Sequence, residues 1–142
     1  MRISEIMTRG TAVADPNDTA RAISQRMVAE DLGYLPVGEQ DRLVGSITDR
    51  DIMARVVAEG RGADCSVGDV MTKDVKYCFE EDDVDQVMRN MANTKVRRMP
   101  VVNSDKRLVG IVSLADGASE GDPSAAGDSL GKLRDQESSY AD

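Results

Sequence analysis

The feature that most constrains this chain is an internal repeat. Laid on itself at an offset of 64, the first half places Met7, Thr8, Asp18, Met27, Pro36, Val37 and Asp41 over Met71, Thr72, Asp82, Met91, Pro100, Val101 and Asp105. After one inserted residue the offset becomes 65, and Arg42, Leu43, Val44 and Gly45 fall on Arg107, Leu108, Val109 and Gly110. A period of this length makes each copy one supersecondary unit, too small to bury its apolar face alone. The whole chain has 142 residues, which suits two halves sharing a core better than two separately stable domains.

Each copy carries the same signals in the same order. A short apolar run, 11–14 or 75–79, ends in the acidic stretches 15–18 or 80–83, where Asp18 or Asp82 stands ready to cap a helix. Ala20, Ile23 and Met27, and then Val84, Val87, Met88 and Met91, recur at helical spacing. Leu35-Pro36-Val37 and Met99-Pro100-Val101-Val102 read as strands whose prolines point to strand beginnings or edges. Charged turns lead from these into 43–47 and 108–112, closing a hairpin in each copy. Ile52, Met53, Val56 and Val57 then share a helical face, whereas Gly117 is a poor continuation and argues against a last helix in the second copy. The expected fold class is α+β (α/β), with two β-α-β-β-α repeats over 1–60 and 61–116 joined by a short link at 59–64. An acidic, Gly/Ser-rich flexible tail is expected over 117–142, since its apolar residues are mostly alanine.

Composition removes several function classes. The chain has no histidine, so the commonest general base and the commonest transition-metal ligand are both missing, and no catalytic residue is assigned. A single Phe and no Trp leave little for a base-stacking platform. Net charge is −8, of which the tail carries −4 through six acids against two bases, and neither part offers the basic face that duplex DNA requires. Cys65 and Cys78 follow no metal or disulfide spacing and read as idle thiols in a reducing compartment. The four acids of 80–83 match no standard ligand loop, so no metal site is assigned. The start lacks an apolar signal region and no stretch is long enough to span a bilayer, so a cytoplasmic protein with no membrane partner is expected.

The candidate chemistry lies in LVGSITDRD, 43–51, and its copy LVGIVSLAD, 108–116. Gly45 and Gly110 sit inside strand-like runs, where a missing side chain lets something approach the backbone. Thr48 then pairs with Asp51, and Ser113 with Asp116, at a spacing of three. One reading is a helix capping box. The other is a ribose clamp, in which the carboxylate accepts hydrogen bonds from two vicinal hydroxyls and the Ser or Thr hydroxyl reaches the sugar or first phosphate. Recurrence in matching positions favours the clamp over a chance motif.

These residues resemble the CBS-domain family, named for cystathionine β-synthase, and specifically the small bacterial proteins made of a tandem CBS pair (a Bateman module). The DIMT-like openings, the LPV and MPV of mid-unit and the two Gly-h-h-[Ser/Thr]-x-x-Asp endings carry the likeness over 3–116. The resemblance implies repeats packed through their sheets with pseudo-twofold symmetry, forming clefts that in many members bind AMP, ATP, NAD or S-adenosylmethionine. It also implies a homodimer that signals occupancy to an effector protein. Residue by residue, Thr48, Asp51, Ser113 and Asp116 match the ribose contacts. Adenine would lie near Val13 or Tyr77 and against Leu35 or Met99, for which plain core packing is the competing reading. Arg97 matches a phosphate-contacting position, beside Lys95 and Arg98 in the densest basic patch of the body, where the first half has Asp31, Gly33 and Tyr34. Arg50 lies inside the first clamp and either reaches phosphate or projects from a helix start. The implied function is a non-catalytic sensor of an adenine nucleotide; a ligand-free interaction or stress-associated scaffold is the alternative.

Overall fold

The computed structural model describes residues 1–120 and divides them into two compact units. One is formed by Ala12–Val75; the other by Met1–Thr11 together with the chain from Lys76 onward. The boundaries differ from the sequence repeats in a systematic way, because the opening of the first repeat is built into the second unit's sheet.

In the unit formed by Met1–Thr11 and the later residues, Ile3–Glu5 form one 3-10 turn and Thr8–Arg9 form β1. Next come β4 (Cys78–Phe79), α4 (Val84–Asn93), β5 (Arg98–Val102), β6 (Leu108–Ser113) and α5 (Leu114–Glu120). The sheet order is β1-β6-β5-β4, with β4 parallel to β5 and the other pairs antiparallel. Pro100 sits inside the central strand β5, not at a beginning or an edge. It is tolerated there because β4 pairs only with Val101 and Val102, beyond the proline. Ile3, Ile6, Cys78, Val84, Val87, Met88, Met91, Met99, Val101, Val112 and Leu114 make the core.

The unit Ala12–Val75 contains α1 (Ala20–Glu30), β2 (Tyr34–Glu39), β3 (Arg42–Thr48), α2 (Asp49–Ile52) with a π-helical continuation over Met53–Val57, and α3 (Val67–Val70). The hairpin β2–β3 turns on Gln40 and Asp41, both at positive φ, and slips register between Val37 and Gly38. The β5–β6 hairpin slips at the matching place, between Val101 and Val102. The expected strand over 11–14 reduces to a single parallel bridge, Ala14 to Val37, and that over 75–79 shortens to β4. Its core comprises Ala14, Ala20, Ile23, Met27, Leu35, Val37, Ile47, Val56, Val67 and Val70.

Each unit is closed internally by the same set of backbone bonds. Ile3 N–H donates to Asp82 O, Ser4 N–H to Glu80 O, and Val84 N–H to Met1 O; 64 positions on, Val67 donates to Asp18, Gly68 to Pro16 and Ala20 to Cys65. Each repeat's opening segment is therefore held by the body of the other repeat. Gly45 and Gly110 make this possible. A Cβ on Gly110 would stand 2.6 Å from the Thr8 carbonyl oxygen, and one on Gly45 would stand 2.7 Å from that of Thr72. What approaches the strand backbone is thus the Met-Thr pair that opens each repeat.

Caps and the last helix differ from expectation by small, explicable amounts. The caps are one residue later than Asp18 and Asp82: Thr19 accepts from Ala22 N–H and Asp83 from Gln86 N–H, while Asp18 and Asp82 close the preceding turns onto Asp15 and Phe79. α5 forms despite Gly117, which is buried against Met88; a Cβ there would run into the Met88 sulfur. The flexible tail therefore cannot begin at residue 117, and what was expected of 121–142 lies outside the described residues. No helix among the described residues is long and apolar enough to cross a membrane.

Candidate functional site

Both Ser/Thr–Asp pairs form complete capping boxes. In the first, Thr48 Oγ1 accepts from Asp51 N–H at 3.0 Å while Asp51 Oδ2 accepts from Thr48 N–H at 3.0 Å. In the second, Ser113 Oγ accepts from Asp116 N–H at 3.1 Å and Asp116 Oδ2 from Ser113 N–H at 2.9 Å. The second box forms in spite of Gly117, so the capping reading holds for both copies. Capping does not use these groups up. It occupies one carboxylate oxygen and one hydroxyl lone pair, leaving each hydroxyl a proton to donate and each carboxylate a second oxygen to accept with. All four residues are partly exposed, so the same side chains that start α2 and α5 can meet a ligand.

The surroundings of the two pairs differ in charge. Across the hairpin, Thr48 pairs with Tyr34, whereas Ser113 pairs with Arg98. Gly33 O accepts from Asp49 N–H and Arg97 O accepts from Leu114 N–H, so Arg97 replaces Gly33 and Leu114 replaces Asp49. At the first pair the Asp49 carboxylate lies over Gly33, 3.2 Å from where a Cβ would be. Asp31 and Lys95 hold the matching left-handed positions after α1 and α4. Arg50 is exposed on the first turn of α2, its N–H bound to Asp49 Oδ1.

The proposed adenine contacts separate into two kinds. Leu35 and Met99 are each 1% exposed and belong to the two cores, so for them the core-packing reading prevails. Val13 and Tyr77 are 36% and 41% exposed and remain available. Tyr77 packs edge-on against Phe79, with ring centroids 5.8 Å apart. It also borders a polar cavity of about 470 Å³ between β4 and α4, lined with Asp82, Gln86, Arg89, Asn90 and Asn93. Neither Ser113 nor Asp116 lines that cavity, so it is separate from the second pair. Its floor includes Cys78, whose thiol burial pushes up to about 12, helped by the charge of Asp82; such a thiol is a poor nucleophile. Among the described residues no group of three or more His, Cys, Asp or Glu is placed to hold a metal.

One residue escaped the sequence reading. Arg55, in the π-helical turn, donates from Nη1 to Val70 O at 3.0 Å and brings Nη2 to 3.7 Å from Asp51 Oδ1. It stands at ion-pair distance from the second oxygen of the first carboxylate without hydrogen-bonding it, and its other nitrogen is tied to the end of α3. The Asp51–Arg55 spacing of four on a helix was a legible signal; the reach to Val70 was not.

Comparison with known proteins adds a family and several similar structures. The CBS-domain family model matches residues 3–58 and 67–118. CBS domain-containing protein YhcV of Bacillus subtilis is 34% identical over 114 residues, 80% of this chain and 81% of the relative. Hypoxic response protein 1 of Mycobacterium tuberculosis is 38% identical over 114 residues, 79% of each. Two solved structures carry adenosyl compounds. CBSX2 in complex with AMP has a TM-score of 0.74 at 25% identity, covering 83% of this chain and 93% of its own. The CBS domain pair of protein MJ0100, in complex with 5′-methylthioadenosine and S-adenosyl-L-methionine, has a TM-score of 0.73 at 26% identity, covering 84% and 94%.

Proposed function

The chain belongs to the CBS-domain family as a tandem pair, and on that premise we propose that it is a non-catalytic sensor of an adenosyl nucleotide. Thr48 with Asp51, and Ser113 with Asp116, hold the ribose. The observation that carries this reading is that both capping boxes leave a hydroxyl proton and a carboxylate oxygen to offer, at matching points of the two repeats. Arg97 and Arg98 beside Ser113 make the second pair the better partner for phosphate, while Val13 and Tyr77 offer exposed surface to the base. Relatives crystallised with AMP, and with 5′-methylthioadenosine and S-adenosyl-L-methionine, support this ligand class.

The sensor works as a homodimer and passes its occupancy to an effector protein. Val28, Met53 and Val57, 84%, 57% and 71% exposed on the helices of the Ala12–Val75 unit, are the apolar surface that such an assembly would cover. Two free cysteines suit a cytoplasmic setting.

A thermal-shift screen with AMP, ATP, NAD and S-adenosylmethionine tests the reading. A ligand at a hundredfold excess over its Kd adds about 2.7 kcal/mol to stability, a rise of several degrees. No rise with any of the four would assign the chain to ligand-free scaffolding, and release of product from AMP, ATP or NAD by pure protein would show that it is an enzyme.

A further inference from the structure

The two ribose clamps stand in different electrostatic surroundings. Beside Ser113 and Asp116 stand Arg97 and Arg98, with Leu114 at the first helical position. Beside Thr48 and Asp51 the same places hold Gly33, Tyr34 and Asp49. Two cations lie near the first clamp. Arg55 is turned to the Asp51 carboxylate and the Val70 carbonyl, and Arg50 is exposed on the first turn of α2. Counted by formal charge, Asp49, Asp51, Arg50 and Arg55 sum to 0 at the first pair, and Arg97, Arg98 and Asp116 sum to +1 at the second. Asp49 is the residue that decides the first. It occupies the place of Leu114, and its carboxylate covers Gly33, where the other repeat presents Arg97.

We propose that Asp49 is a specificity-determining residue: it makes the first clamp select an adenosyl ligand with no phosphate on its 5′ side, a neutral nucleoside or one bearing a positive charge such as a sulfonium. The second clamp keeps the phosphorylated ligands. The inference rests on the ribose-clamp reading and adds the charge of the ligand to it. At a half-exposed site, a carboxylate standing within several ångströms of a bound phosphate would disfavour it by about tenfold. It disfavours adenosine not at all.

Calorimetric titration of the full chain with AMP and with adenosine tests it, using the wild type, Asp49→Leu, Asp49→Asn, Arg97→Gly and Asp51→Asn, with Asp116→Asn added to isolate the first clamp. Asp49→Leu and Asp49→Asn are expected to raise AMP affinity at the first clamp by about tenfold and to leave adenosine affinity unchanged. Arg97→Gly is expected to weaken AMP at the second clamp and spare adenosine. An AMP-to-adenosine preference that does not move in either Asp49 variant overturns the inference, provided Asp51→Asn still weakens both ligands. If Asp51→Asn weakens neither, or if neither ligand binds the wild type, the ribose clamp falls and the inference falls with it. Asp49 is exposed and, among the described residues, its side chain bonds only the adjacent Arg50 N–H; an unliganded melting temperature close to wild type confirms that folding is intact in both variants.

Discussion

Replacing Gly110 with alanine isolates the contact that stitches the first repeat's opening into the second repeat's sheet. In an unobstructed strand the exchange would stabilise the protein by about 0.4–1 kcal/mol, because alanine has less backbone freedom to lose. Here the new Cβ would stand 2.6 Å from the Thr8 carbonyl oxygen and 3.2 Å from Met7 Sδ. The methionine can swing aside, but the carbonyl belongs to β1, which is registered on β6 by Thr8 against Ile111 and Arg9 against Gly110. Relief requires β1 to move away by most of an ångström. That weakens the pairing and disturbs Ile3 and Ile6, which are 0% and 9% exposed in the same core. Overpacking of this kind costs about 1–3 kcal/mol, or about 4–12 °C in melting temperature for a chain of this size. Gly45→Ala, with its Cβ 2.7 Å from the Thr72 carbonyl oxygen, should behave alike. Gly62→Ala, which has nothing within 4 Å, is the control and should be neutral or slightly stabilising. Urea denaturation of the three variants decides the matter. If Gly110→Ala were as stable as Gly62→Ala, the close approach of the opening segment would not exist as described.

Ile3→Ala, only three residues from the start, should cost about 2–5 kcal/mol by thermal or urea unfolding, since Ile3 is fully buried in the core; a loss typical of a frayed terminus would contradict the placement. Cys78 holds its proton to about 12 when folded, against 9.0 for a free thiol, so the folded state binds more protons than the unfolded one between those values and stability falls as pH rises through them. Urea titrations at about pH 8 and about pH 10.5 should therefore show a smaller loss in Cys78→Ala than in wild type, and equal losses would remove the argument. A chain ending at Asp116 should melt well below one ending at Glu120, because it lacks Gly117 against Met88 and the last turns of α5; equal melting temperatures would show that α5 contributes nothing beyond its cap.

What the sequence disclosed was local or periodic. The hairpins, the α1 and α4 faces and the Thr48–Asp51 and Ser113–Asp116 boxes all depend on spacings of one to four residues, which can be read directly. The glycines of the LVG motifs signalled a close approach without saying to what, because Thr8 and Thr72 reach them only through the exchange of opening segments. That exchange is non-local and leaves no periodicity. Gly117 was misread for a related reason: helix propensity weighed against α5, but the absence of a side chain there lets Met88 pack close against the helix. Leu35 and Met99 could be either base contacts or core from sequence alone, since an apolar residue in a strand has the same signature in both roles. Arg55 was missed because half of its role is a bond to the Val70 carbonyl, a backbone group with no sequence signal.

The central claim, that Asp51 and Asp116 hold a ribose as well as cap a helix, is tested most directly by calorimetric titration of AMP into wild type, Asp51→Asn and Asp116→Asn. Asparagine keeps an oxygen for the cap and removes the charge that strengthens bonds to the sugar hydroxyls. Asp116→Asn is predicted to leave the unliganded melting temperature nearly unchanged and to weaken AMP by about tenfold or more, with a smaller loss in Asp51→Asn. AMP binding with the same affinity to all three proteins would contradict it.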